Sequence, residues 1–349
     1  NETRSYLFET SVVSLIGIAA NLVVAPLAAA ATPLGLGALL LTILQETLAR
    51  LLFESLWVLL VALRGAVWLM AKLPAAMLHL PAPHWTTSVA FYAALGLLPF
   101  IMRHWIVKAG SCLLLVWVGA VSLWPWVKPA EGVFRVFYLD VGQGDAAFIE
   151  LPDGRRLLVD GGAGGGPRFD VGERVVAPFL WNRAIYGLDV VAMSHSDPDH
   201  AGGLATVLRQ FKVKEFWESG ARNGESAELL SIVQRRGVVR RELRRGERVR
   251  LGPVLATILH PPEELLRGSP RGPASDENNN SLVLRLQWGA LSLLFTGDLE
   301  QEGEASLLES SLPMRHLVLK VGHHGSRFST TERFLAASEP AVAVVSAGA

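Results

Sequence analysis

The pattern of apolar and polar positions divides this chain into two stretches suited to different solvents. From Thr10 to Gln45 no residue carries a formal charge, a run far longer than the roughly 20 apolar residues of one bilayer crossing. Pro26, Pro33, Gly35 and Gly37 interrupt it, so it predicts two crossings or a broken helix. Apolar stretches at Leu51 to Leu73, Ser88 to Met102 and Ala109 to Val127 predict further spans, the last with Trp117, Trp124 and Trp126 in or near the membrane interface. None has the form of a cleavable signal peptide.

Beyond Pro129 the period shortens. Strands are predicted at Val133 to Leu139, Ala146 to Leu151, Arg156 to Val159, Leu188 to Met193, Val254 to Leu259, Ser281 to Gln287, Leu291 to Phe295, Leu317 to Lys320 and Val342 to Val345. Helices are predicted near Gly203 to Gln210, Ser226 to Arg235 and Thr331 to Ala337. Several strands are apolar on both faces, which two sheets packed face to face under helices would satisfy. The expected partition is a multi-pass α-helical membrane region over residues 1–128 and a soluble α/β domain over 129–349.

Charge follows the same cut. The first 128 residues hold 7 of the 32 Lys and Arg and 4 of the 32 Asp and Glu. With no net charge overall, any case for a nucleic-acid partner must be local. One cysteine, Cys112, excludes an internal disulfide framework and reads as a small buried hydrophobe. Arg103, His104 and Lys108 precede the last span, whereas Pro74 to Thr87 carries no Lys or Arg. The positive-inside rule then puts residues 103–108 in the cytoplasm and Lys128, with the whole soluble domain, on the non-cytoplasmic side. The chain starts at Asn1 to Arg4 without an initiator Met, so helices upstream are expected.

Candidate chemistry gathers where strands end. Ser194-His195-Ser196-Asp197-Pro198-Asp199-His200-Ala201-Gly202-Gly203 carries four metal-capable side chains. In extended backbone alternate residues share a face, so His195, Asp197 and Asp199 can converge while His200, at the turn, serves a second centre. Such mixed ligation suits Zn2+, Mn2+ or Fe2+. A loop can also hold two His and two Asp by accident, since its Ser, Asp, Pro and Gly are ordinary loop formers. However, Thr296-Gly297-Asp298 and Lys320-Val321-Gly322-His323-His324-Gly325-Ser326 bring further ligands to two other strand ends. Elsewhere, eight arginines crowd into Arg235 to Arg250, among them Arg240, Arg241, Arg244, Arg245 and Arg248, offset within the run only by Glu242 and Glu247. They can track a phosphate backbone or serve an ordinary basic hairpin face.

His-x-Asp-x-Asp-His-x-Gly-Gly, Thr-Gly-Asp and Gly-His-His-Gly-Ser, in this order and spacing, resemble the metallo-β-lactamase superfamily over residues 133–349. Phe137 to Ala146 and Leu158-Val159-Asp160-Gly161-Gly162 are similar to the branch found in ComEC-type competence proteins, and Ser14 to Leu27 is similar to that family's membrane region. The resemblance implies an αβ/βα sandwich of two mixed sheets flanked by helices, with two divalent metal ions, Zn or Mn. It puts His195 and Asp197 on one ion, Asp199, His200 and His324 on the other, and Asp298 between them. His323 would face substrate, with His323 or Lys320 protonating the leaving oxygen. Asp140 matches the superfamily's first motif, whose Asp orients the metal loop by hydrogen bonds. Gly142 and Gly144 read as turn formers.

Two departures stand out. Asp197 occupies a place where familiar members carry His, and Glu277 to Ser281 offers Asn278, Asn279 and Asn280 where they carry another. The first ion then has an oxygen-rich shell. The chain also stops at Ala349, short of a Gly-His-Pro segment of competence-type relatives. The resemblance implies DNA uptake in natural transformation: an inner-membrane channel joined to a nuclease, with DNA, the membrane and other uptake components as partners. A non-catalytic gating or docking domain, or a hydrolase of small phosphoesters or phosphocholine, are the other classes.

Overall fold

The computed structural model describes residues 11–14, 16–73, 78–100, 104–127, 132–164, 170–220, 226–267, 277–310, 315 and 317–348. Asn1 to Arg4, Arg103, Lys128, Pro129 and Ala349 lie outside them, and with them the expected boundary and half of the sidedness argument. The chain divides into two compact units, Thr10–His84 and one containing Trp85–Ala349.

In the first unit, β1 (Ser11–Val13) pairs antiparallel with β2 (Leu78–Leu80), and between them run α1 (Gly17–Leu41) and α2 (Glu46–Ala71). The expected two crossings or broken helix are one continuous helix, with Pro26 and Pro33 inside it. Its 25 residues span about 37 Å at about 1.5 Å each, one crossing. Helices in apolar surroundings tolerate proline where neighbouring groups re-satisfy the freed carbonyls. α1 packs on α2, and small residues let them approach. Ala38 and Ala49 are buried, and a Cβ at Gly35 would stand 3.2 Å from the Leu56 side chain.

The second unit opens with α3 (Trp85–Leu97), packed on α4 (Trp105–Val127). The span expected at Ser88 to Met102 is a helix of 13 residues, about 20 Å long and short of the bilayer core. Among the described residues three helices, Ala19–Leu41, Glu46–Ala71 and Trp105–Val127, are long and apolar enough to cross a membrane. Cys112, expected buried, lies on the exposed face of α4.

The remainder is two halves of alternating strands and helices. The first runs β3 (Arg135–Tyr138), β4 (Ala147–Glu150), β5 (Arg156–Val159), α5 (Ala177–Asn182), β6 (Gly187–Ala192), α6 (Pro198–Ala201), α7 (Leu204–Gln210), β7 (Lys212–Glu218), α8 (Ser226–Arg235) and β8 (Val239–Glu242). Its sheet has the order β3-β4-β5-β6-β7-β8, antiparallel up to β5 and parallel thereafter. The second half runs β9 (Arg248–Leu251), β10 (Val254–His260), α9 (Glu263–Arg267), β11 (Val283–Trp288), β12 (Leu291–Phe295), α10 (Gln301–Leu308), β13 (Val318–Lys320), α11 (Glu332–Ser338) and β14 (Val342–Val344). It forms a second six-stranded sheet, β14-β13-β12-β11-β10-β9.

The period-2 alternation separates three cores. Ala147, Ile149, Leu157 and Val159 point between the sheets against Ala256, Ile258, Leu284 and Phe295. Phe148 and Leu158, one residue out of phase, pack under Leu180, Leu204 and Leu208 of the helices. On the far side Leu294 and Leu319 meet Leu307 and Phe334. This is the expected helix, sheet, sheet, helix sandwich. Its sheets present the C-terminal ends of β5, β6, β12 and β13 at one edge, where the parallel strands bring polar loops together.

Candidate metal centre

Five loops meet at that edge. After β5 the chain enters Asp160-Gly161-Gly162, and after β6 it enters the His195 to Gly203 segment. The two loops touch so closely that a Cβ on Gly203 would lie 2.1 Å from the Gly161 carbonyl oxygen, and one on Gly202 would lie 1.8 Å from the Gly164 nitrogen. The Gly-Gly pair therefore locks the short α6 onto the loop that follows β5. The turn before β4 abuts the same segment, with Asp145 N donating to Asp199 O at 3.1 Å. Gly142 and Gly144 there have φ of +72° and +129°, the turn role expected of them.

Three imidazoles share one arrangement. His200 is fully buried, with Nδ1 3.0 Å from Asp160 Oδ2. His324 has Nδ1 2.9 Å from the Ser346 carbonyl, and His195 has Nδ1 2.9 Å from Ser194 Oγ. One nitrogen of each ring is thus held from behind. The opposite nitrogens of two rings converge, with His200 Nε2 and His324 Nε2 3.3 Å apart. That is the edge of a tetrahedron whose corners lie about 2.0–2.1 Å from a shared zinc-type ion. Asp298 Oδ1 stands 3.0 Å from His200 Nε2, Asp298 Oδ2 3.4 Å from His324 Nε2, and Asp199 Oδ2 3.2 Å from His324 Nε2. His195 Nε2 is buried 3.4 Å from Asp197 Oδ2 without an aligned hydrogen bond.

Electrostatics agree with this donor set. Burial alone would lower the His200 imidazole, yet Asp160 and Asp298 raise it well above its ordinary value. Burial would likewise lower His324, but Asp145, Asp199 and Asp298 push it up to about 12. Asp298 is held far below the carboxylate range, His200 and His324 outweighing its burial. The His195 imidazole beside it brings Asp197 down to about 2 against its partial burial. Carboxylates packed this densely, balanced by protons on imidazoles, fit divalent cations that would displace those protons. Asp145, His200, Asp298 and His324 offer ligand atoms all within 4.8 Å of one another.

All six residues expected to hold metal lie at this edge. His323 and His324 follow β13 with φ of +47° and +53°, two consecutive left-handed residues costing about 1–2 kcal/mol each. The twist turns His324 inward and leaves His323 at the rim, its Nδ1 3.0 Å from Glu300 Oε1 and its Nε2 3.9 Å from Asp298 Oδ2.

Three expectations need correction. Asp140 is exposed and, among the described residues, accepts from the Gly142 amide of its own turn, at 3.3 Å. The residue that orients the loop is Asp160, 2% exposed, accepting from Ser194 N at 2.7 Å and facing His200. Lys320, expected to protonate a leaving group, is 3% exposed, with Nζ 2.7 Å from Asp145 Oδ1 and donating to Val321 O. It is buried against the Asp145 carboxylate, unlike the rim residue His323. The arginines form no hairpin, because β8 and β9 are edges of different sheets. Arg240 pairs with Glu218 and Glu242, Arg241 with Glu215 and Arg244 with Glu242, while Arg245 donates to Leu259 O and Ser306 Oγ. Arg248 remains exposed. Glu215 and Glu218 lie a strand away, beyond the reach of a local charge count.

Asp145 and Asp160 carry a sequence signal that a search for His-rich motifs passes over. Each is an acid set between glycine and an apolar run, Ala146 to Ile149 or Leu157 to Val159, a costly position unless the carboxylate has partners.

Residues 139–349 match the Metallo-beta-lactamase superfamily, and residues 6–105 match the Competence protein family. The ComE operon protein 3 of Bacillus subtilis is 33% identical over 69% of this chain and 31% of its own length. Competence protein ComA of Neisseria gonorrhoeae is 31% identical over 82% of this chain and 36% of its own. The chain thus spans about a third of the length of these relatives. Among solved structures, a subclass B3 metallo-beta-lactamase from a soil metagenome aligns with a TM-score of 0.34 and 15% identity, over 56% of this chain and 80% of that one. The chain belongs to the metallo-β-lactamase superfamily, in the ComEC-type arrangement that joins such a domain to the membrane segment of competence proteins.

Proposed function

We propose that this chain carries a two-ion phosphodiesterase centre on a multi-pass inner-membrane protein of natural transformation, acting on DNA during uptake. The observation that carries it is the set of three imidazoles, each with one nitrogen held from behind and the other left to the centre, around the carboxylates of Asp199 and Asp298. Divalent ions there supply Lewis-acid polarisation of a phosphoryl oxygen and an activated water.

His195 and Asp197 hold one position; Asp199, His200 and His324 hold the other, and Asp298 lies between them. Asp160 and the Ser346 carbonyl keep His200 and His324 in the tautomers that leave their inner nitrogens free to ligate. His323, 29% exposed at the rim, is placed to donate a proton to the departing oxygen. Asp145, neutralised by Lys320, backs His324 from 3.6 Å. Among the arginines, Arg235, Arg248 and Arg250 are exposed and available to face a polyanion. The sequence similarity to competence proteins supports DNA as substrate, and the positive-inside reading supports a non-cytoplasmic domain.

The test is cleavage of end-labelled single- and double-stranded DNA by the purified chain with Mn2+ or Zn2+. Cleavage that disappears in Asp298→Ala and Asp199→Ala is expected. Two bound ions with no cleavage of either substrate would refute the nuclease and favour a gating role.

A further inference from the structure

We propose that the end of the soluble domain opposite the metal centre rests on the bilayer surface, its basic side chains on anionic lipid headgroups, so that the metal edge faces away from the membrane. The inference is independent of the nuclease and rests on the reading above only in taking α4 as a membrane span.

The anchor is an aromatic contact. Trp126, in the last turn of α4, stacks on Tyr186 with ring centroids 4.9 Å apart and planes at 17°. α4 is long and apolar enough to cross a membrane, and Trp124, Trp126 and Val127 stay exposed at its end. Tryptophan and tyrosine rings gather at headgroup depth, with an apolar body toward the acyl chains and a polar tip in water. The stack therefore sets Tyr186 at that depth. Tyr186 stands directly before β6, whose six residues carry the chain up to the metal loop. At about 3.3 Å per residue the centre lies about 20 Å further along the strand.

Strand direction collects cations at this same end. β5, β6, β7 and β8 run parallel, so their first residues, and the last residues of the helices between them, lie away from the metal loops. Lys212 opens β7, its amide donating to the Tyr186 carbonyl at 3.0 Å. Arg235 ends α8, and Arg236 after it donates to the Phe211 carbonyl at 3.4 Å. All three are exposed and hold no ion pair among the described residues. Three acids at this end are already paired, Glu150 with Arg135 at 3.5 Å, Asp153 with Arg155 at 3.2 Å and Asp189 with Lys214 at 2.7 Å. A positive surplus thus borders the stacked rings. An anionic bilayer fits both features, rings at headgroup depth and cations beside phosphate. DNA would match the cations and leave the stack on a membrane span without a role.

The experiment uses the full 349-residue chain with Cys112→Ser, reconstituted in lipid nanodiscs whose headgroups carry a nitroxide quencher. A fluorophore is placed on Gln234→Cys, exposed beside the cations, or on Arg327→Cys, exposed at the metal edge. In discs rich in phosphatidylglycerol the label on Gln234→Cys should be quenched at least about threefold more than that on Arg327→Cys. Discs of phosphatidylcholine alone, or molar salt, should reduce that difference by about half or more, because the attraction is screened or removed. Lys212→Gln, Arg235→Gln and Arg236→Gln together should do the same in a chain whose melting is unchanged; if the triple variant melts early, Lys212→Gln with Arg236→Gln serves. Equal quenching at the two labels, or stronger quenching on Arg327→Cys, overturns the proposal. So does a triple variant that keeps its quenching and loses DNA retention, which would assign the cations to nucleic acid. No cleavage is measured, so a failed nuclease assay leaves this result standing.

Discussion

Asp160→Asn tests whether the buried carboxylate behind His200 makes the ring a ligand. Oδ1 accepts from the Ser194 amide at 2.7 Å, and Oδ2 lies 3.0 Å from His200 Nδ1. Both partners are donors when His200 presents Nε2 to the centre. An asparagine has one acceptor, so one contact must fail. If the amide NH2 turns toward Ser194 N, two donors face each other in a buried pocket, at a cost of about 1–3 kcal/mol. If it turns toward His200, the imidazole accepts on Nδ1 and must carry its proton on Nε2, the nitrogen the ion needs. Either outcome is expected to lower metal affinity about 10–100-fold, as loss of such outer contacts generally does, equivalent to about 1.4–2.8 kcal/mol. Chelator competition against Zn2+ on the purified chain measures it. A change below threefold in a variant whose metal-free melting is normal would show that Asp160 does not set the tautomer.

Other outcomes follow from the same contacts. His200 and His324 are raised above 6.5, so in the metal-free protein their contribution to stability is complete below pH 6.5 and is lost as pH rises through the folded values, about 12 for His324. Asp298 is depressed and Asp197 lies near 2, so their contribution is present above the ordinary carboxylate value and lost as pH falls through the folded ones. The metal-free domain should therefore melt highest at intermediate pH. Ion binding, which must displace imidazole protons, should tighten with rising pH and release protons in calorimetry; pH-independent affinity would contradict it. Lys320→Met removes the ammonium 2.7 Å from the buried Asp145 and leaves it only the His324 imidazole at 3.6 Å, which should cost about 3 kcal/mol in denaturant unfolding, whereas an unchanged midpoint would mean that the Lys320 pair carries no load. Arg240→Glu should destabilise the fold by facing the buried Glu218, while Arg248→Glu at an exposed site should leave melting unchanged and weaken DNA retention with a shallower salt dependence. Equal retention would return the arginines to a scaffold role.

Much of this protein is legible in local pattern, because pattern is what a strand or a helix reads. Short apolar runs bounded by turns marked β4, β5, β10, β11 and β12 within a residue or two, and Ser226 to Arg235 matches α8 at both ends. The metal-capable side chains of the His195 to His200 segment, Thr-Gly-Asp and Gly-His-His-Gly were visible because each follows an apolar strand. Strand β7 escaped, since Lys212 and Lys214 alternate with half-buried positions at its exposed start. The number of crossings in Thr10 to Gln45 escaped as well, because helix continuity across proline depends on the neighbouring helix.

What only the tertiary structure decided is who faces whom. Asp160 lies 40 positions from His200, and His324 lies 124 from it, separations over which no periodicity carries information. The structure sets Asp160, not Asp140, behind His200, buries Lys320 against Asp145, and pairs Arg240 and Arg241 with Glu218 and Glu215 of the neighbouring strand. The sequence alone determined that imidazoles and carboxylates would stand at strand ends. Which of them converge was decided by two sheets stacking face to face, because convergence depends on the packing of distant strands and not on spacing along the chain.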